Sequence, residues 1–161
     1  MTLPPTLPRT ELEPSSALRR LHLTVGIVGI LAFLGTGQFM DRRLDHLVGM
    51  ADAPRALYRS AHIYILFSAL LNFLLGVYLR PARPRIARLA QYLGSAFLVL
   101  SLALLLYGFF VETPLAMIER PRIRIGIVWS LWGALLHGGA GLLNRPLTAR
   151  DPEGEGLHGD R

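Results

Sequence analysis

Polar and apolar residues in this chain segregate into whole segments instead of alternating residue by residue. Leu21 to Phe39, Ala61 to Leu79, Leu89 to Val111 and Ile125 to Leu143 contain no Asp, Glu, Lys or Arg, and charged residues crowd the intervals between them. A helix rising 1.5 Å per residue needs about 20 apolar residues to cross a hydrocarbon core roughly 30 Å thick. The pattern therefore predicts four membrane-crossing helices, over about residues 21–39, 58–79, 88–111 and 124–143.

A second periodicity lies inside each segment. Small or polar residues recur at alternating steps of three and four: His22, Gly26, Gly29, Phe33 and Thr36, then His62, Ile65, Ala69, Asn72 and Gly76. The third segment continues with Gln91, Gly94, Leu98, Ser101, Leu105, Gly108 and Glu112, and the fourth with Gly126, Ser130, Gly133, His137, Ala140 and Asn144. This spacing keeps each set on one helix face. In lipid, packing Leu against Leu gains little, so helices associate through close backbone approach and interhelical hydrogen bonds. Gly26, Gly29, Gly76, Gly94, Gly108, Gly126 and Gly133 are the expected packing positions, and a period near 3.5 predicts left-handed crossings of about +20°. The expected fold class is an all-α integral membrane protein, an antiparallel left-handed four-helix transmembrane bundle.

That bundle is expected to occupy residues 18–144, between disordered tails at 1–17 and 145–161. Met1 to Ser16 is polar and Pro-rich, and the first apolar stretch is long and lacks a small-residue cleavage site. The first segment is therefore expected to remain as an anchor. Met40 to Ala56 mixes charges with Leu44, Leu47, Val48 and Met50, a pattern suited to a short interfacial helix. Asp52 followed by Pro54 marks the start of the second long helix. Arg80 to Arg88, with Pro81 and Pro84, reads as a tight connection, and Glu112 to Arg124 has room for one helical turn.

Charge distribution orients the arrangement. The net charge is +6, and all 17 basic residues are Arg, placed mostly at segment ends, where they suit lipid head groups and not nucleic acid. The residues before the first segment, those after the fourth and the Arg80–Arg88 connection hold ten Arg against seven in the other two connections, so both termini are expected in the cytoplasm. The general look is similar to that of small four-helix bacterial inner-membrane proteins. The absence of Cys excludes disulfides, cysteine-ligated iron–sulfur clusters and covalently attached c-type haem.

With that orientation the polar residues fall into two layers. The inner layer holds Arg19, Arg20, His22, Gln91, His137 and Asn144, and the outer one Gln38, Asp41, Arg42, Arg59, His62, Glu112 and Arg124. His22 and His137 share a leaflet and both lie on packing stripes. Haem b takes two axial nitrogens from facing helices, and Gly26, Gly133, Gly138, Gly139 and Gly141 offer room for a macrocycle. Against haem, His137 lies roughly 10 Å deeper than His22 by helix rise, and no helix carries two histidines. The competing reading is a pair of hydrogen-bonded packing histidines.

His62 is the third candidate, as a proton-relay or quinone head-group residue that titrates near neutral pH. Its structural alternative is an outer polar cluster of Gln38, Asp41, Arg59, His62, Glu112 and Arg124, with Asp41 and Glu112 expected to pair with Arg59 or His62. Asp41, Asp45, His46 and Asp52 match no metal-binding spacing, and no metal is expected. Tyr and Trp residues near the segment ends suit an aromatic belt. No carboxylate lies deep in a segment, and no Ser–His–Asp set, phosphate loop or zinc-binding helix motif is present.

Three functional readings remain. The leading one is a non-enzymatic accessory or scaffold subunit that binds partner membrane proteins or copies of itself within the lipid bilayer. The second is a redox subunit binding haem b or quinone at His22, His137 or His62. The third is a small transporter or channel with Thr36, Asn72, Ser101 and Ser130 along a polar path.

Overall fold

A computed structural model describes residues 14–115 and 119–144, with side chains from Ala17 onward. The described residues are all-helical: α1 (Pro14–Arg43), α2 (Asp52–Tyr78), α3 (Arg85–Val111) and α4 (Pro121–Leu143), with a single short turn of helix, Asp45–Leu47, between α1 and α2. Each long helix is long and apolar enough to cross a membrane. Every one overruns its charge-free segment. α1 does so by seven residues at its start, so Pro14 to Ala17 are helical and not part of a tail. The remaining tail residues, 1–13 and 145–161, lie outside the described residues, as do 116–118 in the α3–α4 connection.

Local chemistry sets the helix ends. Arg42 and Arg43 close α1, where cations suit the negative end of the helix dipole. α2 begins at Asp52, with Pro54 in its first turn, and Arg55 reaches the Asp52 carboxylate at 3.5 Å. Pro84, in extended conformation, precedes α3, and Pro121 is the first residue of α4. Between α1 and α2, where an interfacial helix was expected, the chain makes only one tight turn. Asp45, His46 and Leu47 have positive φ values of 45°, 54° and 64°, and Gly49 follows at 73°. This left-handed turn costs non-glycine residues about 1–2 kcal/mol each. It places Leu47 in the core beside Tyr58 and Phe109.

The helices pair as two intimate hairpins, α1 with α2 and α3 with α4, joined mainly by α2 against α3. The glycines show why the pairs are close. A Cβ on Gly26 would stand 2.5 Å from the backbone nitrogen of Phe73, and one on Gly76 would stand 2.5 Å from that of Leu23. These two glycines thus bring α1 and α2 into backbone contact at reciprocal positions. In the other hairpin, a Cβ on Gly133 would meet the Gly94 carbonyl oxygen at 2.8 Å. Gly29, Gly108 and Gly126 accept Leu102, Ile123 and Leu105 side chains into the space a methyl would fill. Large apolar residues such as Leu31, Leu34 and Leu135 face outward, the arrangement expected of helices solvated by lipid.

Candidate functional site

A chain of buried polar side chains crosses the interior and touches all four helices. His22 on α1 stands on the α1 stripe, and its Nδ1 lies 2.8 Å from Asn72 Oδ1 on α2. Its Nε2 lies 2.8 Å from Ser95 Oγ on α3, and the same hydroxyl lies 3.1 Å from His137 Nε2 on α4. Asn72 is anchored in turn, its amide nitrogen donating to the carbonyls of Ser68 (2.9 Å) and Leu98 (3.2 Å). One layer further along, Ser101 on α3 lies 2.9 Å from Ser68 on α2 and accepts from Ser130 on α4 at 2.9 Å. His22, Asn72, Ser68, Ser101 and Ser130 are completely buried. In a dry interior every such group needs a partner, and here each one finds it on a neighbouring helix.

The two histidines are level, not 10 Å apart. His22 sits eight residues, about 12 Å of rise, inside the early start of α1, which brings it to the depth of His137. Their ring centroids are 5.5 Å apart and nearly perpendicular. This proximity does not make a haem site, because both Nε2 atoms meet on the single Ser95 hydroxyl. A macrocycle between them would have to displace Ser95 and break the bond from His22. Nor do Gly138, Gly139 and Gly141 open space between the histidines; a Cβ on any of them would meet nothing within 4 Å, and all three are on the exposed side of α4.

The same end of the molecule is closed by polar groups that hold the α2–α3 connection. Gln91 donates to the Arg80 carbonyl at 2.7 Å and accepts from the Ala82 amide at 3.0 Å. Asn144 accepts from the Arg83 amide at 3.1 Å, and Arg19 reaches the carbonyls of Gly76 and Val77. Between α2 and α4 at this end lies a groove of about 650 Å³, with His137, Gln91 and Asn144 in its lining.

At the opposite end the expected polar cluster divides. Glu112 is buried, but its partners are on α4: its carboxylate accepts from the backbone amides of Arg122 (2.9 Å) and Ile123 (3.1 Å) and from the Arg122 guanidinium (3.2 Å). It therefore caps the first turn of α4, where the helix dipole favours an anion. Asp41 meets His46 at 2.6 Å, and neither carboxylate reaches Arg59 or His62. His62 lies 2.9 Å from the Thr36 hydroxyl and stacks on Phe33 with centroids 4.0 Å apart. Gln38, Asp41 and Arg59 share a second groove of about 410 Å³ with His46. Arg124 is exposed, whereas Arg120 donates to the Leu57 carbonyl and to Ser60. Among the described residues no group of three or more His, Asp or Glu is placed to hold a metal ion.

The sequence matches no protein-family model, and no curated protein or solved structure is significantly similar to it.

Proposed function

We propose that this chain is a multi-pass membrane protein acting as a non-enzymatic accessory or scaffold subunit. In this reading its four helices form an antiparallel, left-handed bundle in a bacterial inner membrane, with both termini in the cytoplasm. Its outward faces bind partner membrane proteins or further copies of the chain. The observation that carries the reading is the interior network. His22, Asn72, Ser68, Ser95, Ser101 and Ser130 are hydrogen-bonded across helices, with His137 joined to them through Ser95, while the outward faces are large and apolar. Such a core fixes helix register and leaves association to the outer surface.

The interior hydrogen bonding favours the subunit reading over the transport reading. Asn72, Ser101 and Ser130 are hydrogen-bonded within the packed interior, Thr36 is bonded to His62, and none of the four lines either groove. Förster transfer between two differently labelled pools, mixed in liposomes at increasing dilution in lipid, tests self-association. Transfer above the random-proximity level, or a stoichiometric membrane-protein partner that survives purification at native expression, supports the subunit reading. A strictly monomeric chain with no stoichiometric partner overturns it.

A further inference from the structure

Among the described residues three buried side-chain atoms have no partner, Arg55 Nε, Thr113 Oγ1 and His137 Nδ1, and of these residues only His137 lines the α2–α4 groove. His137 is only 8% exposed, and its Nδ1 is shielded from water and bonded to nothing. The hydrogen positions around it follow from the neighbours. Asn72 uses its amide N–H groups on two carbonyls, so its oxygen faces His22 Nδ1, which must carry the hydrogen. In a neutral His22 the Nε2 is then a lone pair. Ser95 has one proton, and its two shorter contacts, the Gln91 backbone carbonyl at 2.7 Å and His22 Nε2 at 2.8 Å, claim it over His137 Nε2 at 3.1 Å. In both placements none is left for His137, so His137 Nε2–H donates to Ser95 and His137 Nδ1 is a bare acceptor.

His137 also forms part of the wall of the α2–α4 groove, whose volume suits a small amphiphile. Leu71, Leu74 and Leu142 make its apolar sides. Gly138 and Gly141 give α4 a smooth strip leading to His137, with open space where side chains would project. We propose that this groove binds an isoprenoid hydroquinone: the ring lies on the glycine strip, a ring hydroxyl donates to His137 Nδ1, and the tail follows the leucines. Admitting the hydroxyl takes a small opening of the wall over Nδ1. A phosphodiester head group could meet Arg80 in the same lining, but it offers only acceptors and leaves His137 Nδ1 without a donor. A fatty alcohol supplies a donor but no planar face for the strip.

The site rests on the membrane reading above. The test is anaerobic binding of decyl-ubiquinol to the purified protein in nanodiscs, read by quenching of Trp129 and Trp132 on α4 and corrected with empty nanodiscs. Saturable binding is expected, with displacement about tenfold weaker for the dimethyl ether of the same hydroquinone and for decanol. His137→Gln keeps an amide donor for Ser95 but removes the Nδ1 acceptor, and it should weaken binding about tenfold. Gly141→Leu, which projects into open space and leaves the packing intact, should abolish it. Equal displacement by the ether or by decanol overturns the proposal, as does unchanged binding to His137→Gln. Entry into nanodiscs without saturable binding sinks the site alone, whereas a protein that does not enter nanodiscs sinks the membrane reading as well.

Discussion

Replacing Gly26 or Gly76 with Ala tests the tightest approaches at any described glycine. Each added methyl would lie 2.5 Å from a backbone nitrogen and 2.6 Å from a Cα of the partner helix, with no flexible side chain to move aside. Carbon atoms pack at about 3.5–4.0 Å, so α1 and α2 must separate by about 1 Å. A gap of that size forfeits a quarter to a half of each contact's attraction along the seam, and overpacking of this kind costs about 1–3 kcal/mol. We expect each variant to lose about 2 kcal/mol. The double variant should lose less than the sum, because one separation accommodates both methyls. The assay is reversible unfolding in bicelles by steric trapping, with Gly138→Ala as the internal control. A methyl at Gly138 meets nothing within 4 Å, and Ala is the better helix former, so that variant should be neutral or slightly more stable. If Gly26→Ala and Gly76→Ala unfold like the wild type, or Gly138→Ala is the worst of the three, the packing argument is wrong.

Three other substitutions probe separate parts of the structure. Ser101→Ala removes the hydroxyl that joins Ser68 to Ser130 and should cost about 1 kcal/mol, since such bonds average about 0.6 kcal/mol each in membranes; a double-mutant cycle with Ser130→Ala that shows zero coupling would contradict the bond. Glu112→Gln weakens a charge-assisted cap and should cost about 1–2 kcal/mol, with hydrogen-exchange protection lost at Arg122 and Ile123 while α2 stays protected; unchanged exchange there would refute the cap. Asp45→Gly relieves a left-handed non-glycine residue and should stabilise by about 1 kcal/mol, read as a higher unfolding midpoint, whereas a lower midpoint would show that the turn is not left-handed.

The helix faces were legible because three–four spacing is a property of the chain alone. Gly26, Gly29, Gly94 and Gly133 carry it, and all are buried. What escaped was anything that depended on a neighbour one position off the stripe. Ser95 and Ser68 stand beside Gly94 and Ala69, and a buried face is wider than one residue, so both reach the interior and complete the network. The charge-free pattern puts His22 at a helix end, whereas Arg19 and Arg20 lie inside α1 with Arg19 bonded to α2 carbonyls, so His22 sits deeper than the pattern implies. The sequence pattern points Glu112 toward Arg59 or His62 on α2. Its true partners are ten and eleven residues along the chain, where the connection returns it to the amides of α4, and periodicity carries no information about such a return. The unpartnered Nδ1 of His137 was likewise invisible, since it depends on where Ser95 sends its only proton.

The central claim is that the chain crosses a bilayer four times with its termini and the α2–α3 connection in the cytoplasm. The chain contains no Cys, so single cysteines report without background. Val48→Cys in the α1–α2 connection and Glu119→Cys before α4 are placed at exposed positions, as is Arg83→Cys between α2 and α3. In intact cells a membrane-impermeant maleimide should label positions 48 and 119 and leave position 83 unlabelled until the membrane is permeabilised. Labelling of position 83 together with 48 and 119 in intact cells, or release of the protein from membranes by alkaline carbonate, would contradict the account.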